Sequence, residues 1–427
     1  MNIRFTNVKI LTMEPGREIF DGELHVKDDR IVYVGPTVQE AVDPVWDREI
    51  DGEGNLLMPG FKNAHAHSGM TFLRSYADDL PLHEWLNDRV FPMEAKLTPE
   101  MIYHLTKLAI LEYLTSGITA AADMYLTPDT IARAAADCGF RMVLVGAVND
   151  FSQSVEEMER CYEVYNHYHP LVSYQLGFHA EYTTGRERLE AIADLAARKK
   201  APVFTHNSET KAEVEGCIER NGMTPTVYLE KLGMFRYGGG GYHCVHMSPE
   251  DLDIFAEHSL YAITNPASNL KLASGIAPVE EFLQRGIPVA IGTDGPASNN
   301  CLDMFREMFL VTALAKYREN DASAVDAGKV LRMAAVGGAG SMGLSDCDIL
   351  AAGKQADLIM IDLHQPNMQP INHIVKNLVY SGSKSNVALT MIAGKILYER
   401  GSFFIGEDPE AIYAKANEIT RRLGDAQ

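Results

Sequence analysis

Eight short apolar runs, each parted from the next by a segment of helical patterning, constrain this chain more than any other feature. In order they read LMPGFKNAHAH, ITAAADM, FRMVLVGAV, LVSYQLGFHA, APVFTHNS, GGYHCVHM, LYAITNPA and IPVAIGTD. Short strands alternating with helices are the pattern of parallel βα units. The intervening segments carry helix signals of their own. TPEMIYHLTKLAILEYLTSG has Thr98 as N-cap, Pro99 at the first helical position and Gly117 as a C-terminal stop. RERLEAIADLAARKK and PVEEFLQRG serve likewise. The expected fold class is therefore α/β, a (β/α)8 TIM barrel, for which about 250 residues are typical before insertions. A doubly wound open sheet is the rival, but no G-x-G-x-x-G turn follows the first strand.

The two ends of the chain read differently from its middle. IRFTNVKILTM, GELHVKDDRIVYVG and REIDGEGNLLMPG near the start look like short antiparallel strands with Gly, Asp and Pro at the turns. ADLIMIDL, VKNLVYSG, VALTMIAGKILYE and GSFF near the other end look the same. These stretches predict one small β-sandwich built from both termini. The expected organisation is residues 1–58 as its N-terminal part, 59–349 as the barrel, and 350–427 as its C-terminal part with a C-terminal helix.

At 427 residues, 46% hydrophobic and 22% charged, the chain has the length and composition of a globular protein with a large core. Acidic residues outnumber basic ones by 58 to 38, a net charge of -20, which argues against nucleic acid as a partner. Six cysteines without C-x-x-C pairing indicate neither a disulfide framework nor a zinc knuckle. MNIRFTNVKILTMEPG lacks the apolar region of a signal peptide, and no stretch approaches the roughly 20 apolar residues of a membrane helix. A cytoplasmic protein with no membrane partner, a small-molecule substrate and a homo-oligomeric assembly is expected.

In such barrels the chemistry sits at the C-terminal ends of the strands. Here strand one ends in His65 and His67, strand four in His179, strand five in His206, strand six in His243 and strand eight in Asp294. Side chains at i and i+2 of a strand share a face, so His65 and His67 should converge. His65, His67, His206 and Asp294 together suit zinc, which takes nitrogen and carboxylate donors and keeps a position open when catalytic. Singly, each histidine is equally compatible with a hydrogen-bonded structural imidazole, and Asp294 with a turn aspartate in GTDG. Glu209, three residues after His206, is placed to shuttle a proton, or else to face the dipole of the helix that follows. His243 and His246 should lie on opposite faces, so that only one enters the barrel.

MPGFKNAHAHSGMTFLRSYADDLPLHEWL, HNSETKAEVEGC, HCVHMSPEDL, NPASNLKLASGIAPV and GTDGPASNNCLDMFREM resemble the amidohydrolase superfamily, specifically its methylthioadenosine/S-adenosylhomocysteine deaminase branch. The likeness runs over nearly the whole chain. It implies that His65, His67, His206 and Asp294 bind one divalent metal per subunit, zinc or alternatively Fe2+. It also implies that Glu209 and His243 complete the catalytic set with Asp294, that Glu94 in FPMEAKL holds the ribose hydroxyls, and that His179 lies near sugar and purine. SYQLGFHA carries no lysine at the end of strand four, so the second metal of binuclear members is not expected. Branch members that accept S-adenosylhomocysteine carry arginines in and after strand three. This chain has VLVGAVNDFSQSVEE, with Gly146 at one of those positions and no arginine in the loop, while Arg141 and Arg160 read as structural.

The resemblance thus implies a hydrolytic deaminase of adenine nucleosides with a small or uncharged 5′ group: 5′-methylthioadenosine, 5′-deoxyadenosine or adenosine. In that reading Glu209 carries a proton from water to N1, His243 stabilises the oxygen developing at C6, and Asp294 relays a proton to the departing amine. A deaminase or chlorohydrolase of another amino-heterocycle (guanine, pterin, pyrimidine, s-triazine) and a non-catalytic purine-binding barrel are the alternatives.

Overall fold

The computed structural model describes residues 1–38, 45–81 and 84–424. Five strands open the chain: β1 (Asn2–Ile10), β2 (Phe20–Lys27), β3 (Arg30–Gly35), β4 (Arg48–Asp51) and β5 (Leu56–Pro59). Eight follow in the middle: β6 (Phe61–Ala66), β7 (Ile118–Asp123), β8 (Arg141–Val145), β9 (Val172–Ala180), β10 (Val203–Asn207), β11 (Gly239–His243), β12 (Tyr261–Thr264) and β13 (Val289–Ile291). Four close it: β14 (Leu358–Ile361), β15 (Val387–Ile392), β16 (Lys395–Glu399) and β17 (Ser402–Phe403).

Each of the eight apolar runs holds one of the strands β6 to β13, and the first, LMPGFKNAHAH, also supplies most of β5, which belongs to the terminal sheet. Strands β6 to β13 form one parallel sheet in sequence order, with helices in the crossovers, as an α/β barrel requires. The first and last strands meet through short polar bonds. Asp294 N donates to His65 O (3.0 Å), Thr293 N to Asn63 Oδ1 (2.9 Å), and Asn63 Nδ2 to Thr293 Oγ1 (2.7 Å). This seam sets Asp294 beside His65. Inside the barrel Ala64, Ala120, Ala122, Val143, Val145, Phe204, Tyr242 and Ile263 make a core of its own, closed by Met342. Outside, the helices bury apolar faces against the strands. The helix Pro99–Thr115 starts where Thr98 accepts a hydrogen bond from Met101 N (3.3 Å) and stops before Gly117, whose φ of +72° suits a residue without Cβ.

Strands from both termini join in one nine-stranded sheet, with β14 pairing antiparallel to β5. Inward residues of both parts, among them Ile3, Phe5, Leu24, Leu57, Leu358 and Leu389, share one core. Two details differ from the expectation. β4 and β5 run parallel to β1, because the chain crosses over after β3 to reach the far side of β1, and a crossover returns in the same direction. VKNLVYSG is a helix, Ile374–Tyr380, rather than a strand: His373 caps it through Lys376 N, and its buried Leu378 and Val379 follow the half-buried Val375 at helical spacing. Gly60, the single residue between β5 and β6, has no room for a side chain, since a Cβ there would meet Thr119 Cγ2 at 2.1 Å.

Two further ties join sheet and barrel. Buried Arg141, at the start of β8, donates twice to Asp357 (2.7 and 2.9 Å) and once to Gln355 (2.6 Å). The helix Pro409–Gly424 lays Ile412, Ala416, Ile419 and Leu423 toward the helix Pro99–Thr115, with Lys107 and Glu407 paired at 2.7 Å. Arg141 is structural, as read from sequence, and so is Arg160, which pairs with Asp129 on the surface.

Candidate active site

His65, His67, His206, His243 and Asp294 converge at the C-terminal end of the barrel. Ligand atoms of His65, His67 and Asp294 lie within 4.8 Å of one another, and so do those of His65, His206 and His243. His65 belongs to both triads and stacks on Tyr242 at a ring distance of 3.8 Å. The convergence of His65 and His67 has a cause other than simple strand alternation. β6 ends at Ala66, its register against β7 slips between Asn63 and Ala66, and His67 sits just past the strand. Such a slip re-aims side chains. Both rings reach Asp294 Oδ1, His65 Nε2 at 3.5 Å and His67 Nε2 at 3.2 Å.

The donor set fits a divalent cation. His206 Nδ1 donates to the His179 carbonyl (2.7 Å) and His67 Nδ1 to the Met124 carbonyl, which turns both Nε2 atoms toward the cluster. His65, fully buried, has neither ring nitrogen in a hydrogen bond, an arrangement a protein rarely leaves without a partner. Burial lowers its pKa to about 3 and holds that of His206 well below the usual value, so both are neutral, as ligands must be. Asp294 is fixed by Ser268 Oγ (2.5 Å) and Ser298 Oγ (2.8 Å) on Oδ2 and by Gly295 N (2.8 Å) on Oδ1. Burial works against its charge, yet the His67 imidazole, its own pKa raised by this carboxylate to about 9 against burial, holds the Asp294 carboxyl well below its ordinary range.

Glu209 lies beside this cluster. Its Oε1 accepts from Ser274 Oγ (3.2 Å), and its Oε2 is 3.8 Å from His243 Nε2. The helix-dipole alternative belongs to another residue. Thr210 and Glu213 form a capping box on the helix Lys211–Asn221, and Glu213 also accepts from Ser208 N (2.9 Å) and Glu209 N (2.8 Å). Glu213 thereby fixes the backbone that aims Glu209. His243 Nδ1 donates to Asn269 Oδ1 (2.7 Å), while His246 lies beyond the strand with Nε2 on the Ser274 carbonyl (2.7 Å), so only His243 enters the cluster. Ser208, His243, Cys244 and Asp294 all have φ between +48° and +72°, a strained conformation for non-glycine residues that collects at functional sites.

A cleft of about 500 Å³ opens over the cluster, lined by His67, His206, Glu209, His243 and Asp294 and also by Glu94 and His179. Glu94 is half-buried rather than solvated: its Oε1 is enclosed without a hydrogen-bond donor, and burial pushes its pKa up to about 7 despite the neighbouring Tyr125 hydroxyl and His67. His179 Nδ1 meets Thr183 Oγ1 at 2.9 Å, and burial lowers its pKa to about 4. Gly146 does not open into the cleft. A Cβ there would meet Gly177 O at 2.7 Å and the Met158 sulfur at 2.8 Å. Ala147, Asn149, Phe151 and Ser152 line the cleft instead, and among the described residues no lysine or arginine does.

A parallel barrel that presents imidazoles and a carboxylate from its strand ends is the architecture of metal-assisted hydrolases. The Amidohydrolase family profile matches residues 56–397, and the chain belongs to that family. Curated relatives include the 5-methylthioadenosine/S-adenosylhomocysteine deaminases of Caldanaerobacter subterraneus subsp. tengcongensis, 38% identical with 99% of each chain covered, and of Moorella thermoacetica, 40% identical with 97% of this chain and 98% of the relative covered. Among solved structures, an adenosine deaminase from Xanthomonas campestris with bound zinc superposes with a TM-score of 0.93 at 33% identity, covering 99% and 98% of the two chains. The atrazine chlorohydrolase TrzN from Arthrobacter aurescens, complexed with zinc, shares the fold at a TM-score of 0.89, 24% identity and 98% and 100% coverage.

Sequence reading missed the residues that hold the site rather than form it: Ser268, Ser298, Asn269, Ser274 and Glu213. Only Glu213 had a local signal, the T-x-x-E spacing of a capping box. Ser268, Asn269 and Ser274 reach partners 26 to 65 residues away, and Ser298, four residues past Asp294, sits in a turn with no cap spacing to mark it.

Proposed function

We propose that the chain is a hydrolytic deaminase of adenine nucleosides whose 5′ group is small or uncharged, such as 5′-methylthioadenosine, 5′-deoxyadenosine or adenosine, with S-adenosylhomocysteine the poorer substrate. The observation that carries this reading is the meeting of two triads of metal-capable side chains, His65, His67 and Asp294 with His65, His206 and His243, beside Glu209, which accepts from Ser274, in a cleft that no lysine or arginine lines among the described residues. The names of the relatives point the same way.

His65, His67, His206 and Asp294 would hold one zinc ion per subunit, with Fe2+ the alternative. Zinc so bound lowers the pKa of water to about 7. Glu209, braced by Ser274, takes a proton from the attacking water and delivers it to the ring nitrogen N1, which makes C6 electrophilic. His243, its ring fixed by Asn269, presents Nε2 to the oxygen that develops at C6. Asp294 relays the remaining proton, that of the hydroxyl added at C6, to the departing amine, so that the water and the aminopurine nucleoside end as ammonia and the inosine analogue. Glu94 pairs with the ribose hydroxyls, and His179 stands at the sugar–purine junction.

A panel of aminopurine nucleosides and free bases, assayed for ammonia, tests the reading. Adenosine analogues should be the best substrates, and Glu94→Gln should raise KM for nucleosides about tenfold, the worth of one charge-assisted hydrogen bond, with a much smaller effect on bases. Faster turnover of guanine or a triazine than of any adenosine analogue would replace it with the second reading.

A further inference from the structure

We propose that Phe91, Phe151 and Tyr182 form a subsite for the nucleoside's 5′ substituent, one that favours apolar thioethers longer than methyl over a substituent bearing a carboxylate or phosphate. The inference rests on the adenine-nucleoside reading above.

Three aromatic rings at the cleft mouth remain exposed: Phe91 by 41%, Phe151 by 85% and Tyr182 by 43%. An 85% exposed phenylalanine contributes little burial to folding, and its loop is nonetheless built with care. Asn149 Oδ1 accepts from Phe151 N (2.8 Å) and Ser152 N (2.9 Å), while Asn149 Nδ2 donates to Ala147 O (3.1 Å). Gln153 then pins the loop to the cleft wall, accepting from Ala147 N (3.0 Å) and donating to Tyr125 O (3.2 Å). A ring held out into water by a pre-organised loop is placed to meet a ligand.

Tyr125 links the two parts of the cleft: its hydroxyl lies beside Glu94, and its carbonyl holds the Phe151 loop through Gln153. Glu209, His243 and Asp294 line the same cleft. With C6 at those three and the ribose on Glu94, C5′ is the end of the nucleoside left to the aromatic rings.

Charge completes the selection. The cleft lining holds the carboxylates Glu94, Glu209 and Asp294 and, among the described residues, no lysine or arginine. Arg186 and Arg220 line a separate pocket that shares Tyr182 with the cleft, and each is already paired, Arg186 with Glu190 (2.7 Å) and Arg220 with Glu181 (2.5 Å). A carboxylate or phosphate on C5′ would therefore be partly desolvated with no partner, whereas each added methylene buried against the rim is worth about fourfold in binding.

The test compares kcat/KM of the wild-type protein, Phe151→Ser and Phe91→Ser on adenosine, 5′-methylthioadenosine, 5′-butylthioadenosine, S-adenosylhomocysteine and adenosine 5′-monophosphate. With its three extra methylenes about half buried at an open rim, the butylthio compound should exceed the methylthio one by about tenfold and exceed both charged compounds by more, and either variant should lose about tenfold more on butylthio than on adenosine. Equal rates for butylthio and methylthio compounds, a charged compound as good as the butylthio one, or variants that weaken all substrates alike, would overturn the subsite while leaving the deaminase intact. Failure of every nucleoside, adenosine included, to release ammonia would overturn the deaminase reading and the subsite with it.

Discussion

Two carboxylates at the cleft floor are held with unequal firmness. Asp294 receives two hydroxyls and a backbone N–H, whereas Glu209 receives one hydroxyl from Ser274. The carrier that takes a proton from water to N1 must exchange its hydrogen bonds as it works, and loosely held Glu209 suits that longer transfer, leaving Asp294 the shorter relay to the departing amine. Glu209→Gln should lower kcat by about 10²–10⁴ with metal content unchanged, as read by steady-state ammonia assay beside elemental analysis. A variant that kept its rate would remove Glu209 from the chemistry. At this scale the sequence was most legible where function and strand ends coincide. His65, His67, His206 and Asp294 stood out because polar ligands follow apolar runs. Ser268 and Ser298 did not: Ser268 caps a carboxylate 26 residues away, and Ser298, only four residues past Asp294, reads from sequence as an ordinary turn serine.

The elements behind the site are locked by buried polar groups whose cost is visible in pH. Glu307, on the helix Met304–Glu319, is fully buried and accepts from Ala267 N (3.1 Å) and Asn299 Nδ2 (2.8 Å), so it joins the loops that carry Ser268 and Ser298. Burial raises its pKa from 4.5 to about 8 against the pull of those two donors. Between these values the folded chain keeps a proton that the unfolded chain has released. Its contribution to stability is complete below the unfolded value and is lost as pH rises through the folded one, by up to about 1.4 kcal/mol per pH unit. Urea unfolding between pH 5 and 8 should show wild type losing stability relative to Glu307→Gln as pH rises, since only wild type carries this proton. Parallel curves would contradict the assignment. Most helices and all eight barrel strands were legible because period and caps agree along the sequence. VKNLVYSG was not, because its three apolar residues at helical spacing pass equally for a short strand, and only the cap from His373 separates the two.

Across the whole molecule, the terminal sheet and the barrel are joined by a buried ion pair rather than by apolar contact alone. Arg141 and Asp357 are both almost wholly enclosed. Asp357→Asn would leave the guanidinium buried with reduced compensation and should cost about 3–5 kcal/mol, seen as a lower urea midpoint and a lower Tm, while kcat of the protein that stays folded changes little. Stability equal to wild type would show that the pair is not a structural tie. That both termini build one sheet was legible from the matching strand patterns at the two ends. The parallel pairing of β4 and β5 with β1 was not, since it depends on which edge of β1 the chain returns to.

The central claim is that His65, His67, His206 and Asp294 hold one metal ion on which deamination depends. Ammonia release from 5′-methylthioadenosine, measured on protein of known metal content before chelation, after it, and after zinc is restored, tests that claim most directly. The account predicts about one metal per chain, loss of activity in step with metal removal, and recovery with one equivalent of zinc. Activity that survives complete removal of metal, or metal that stays bound when His65 and His206 are both replaced by alanine, would contradict it.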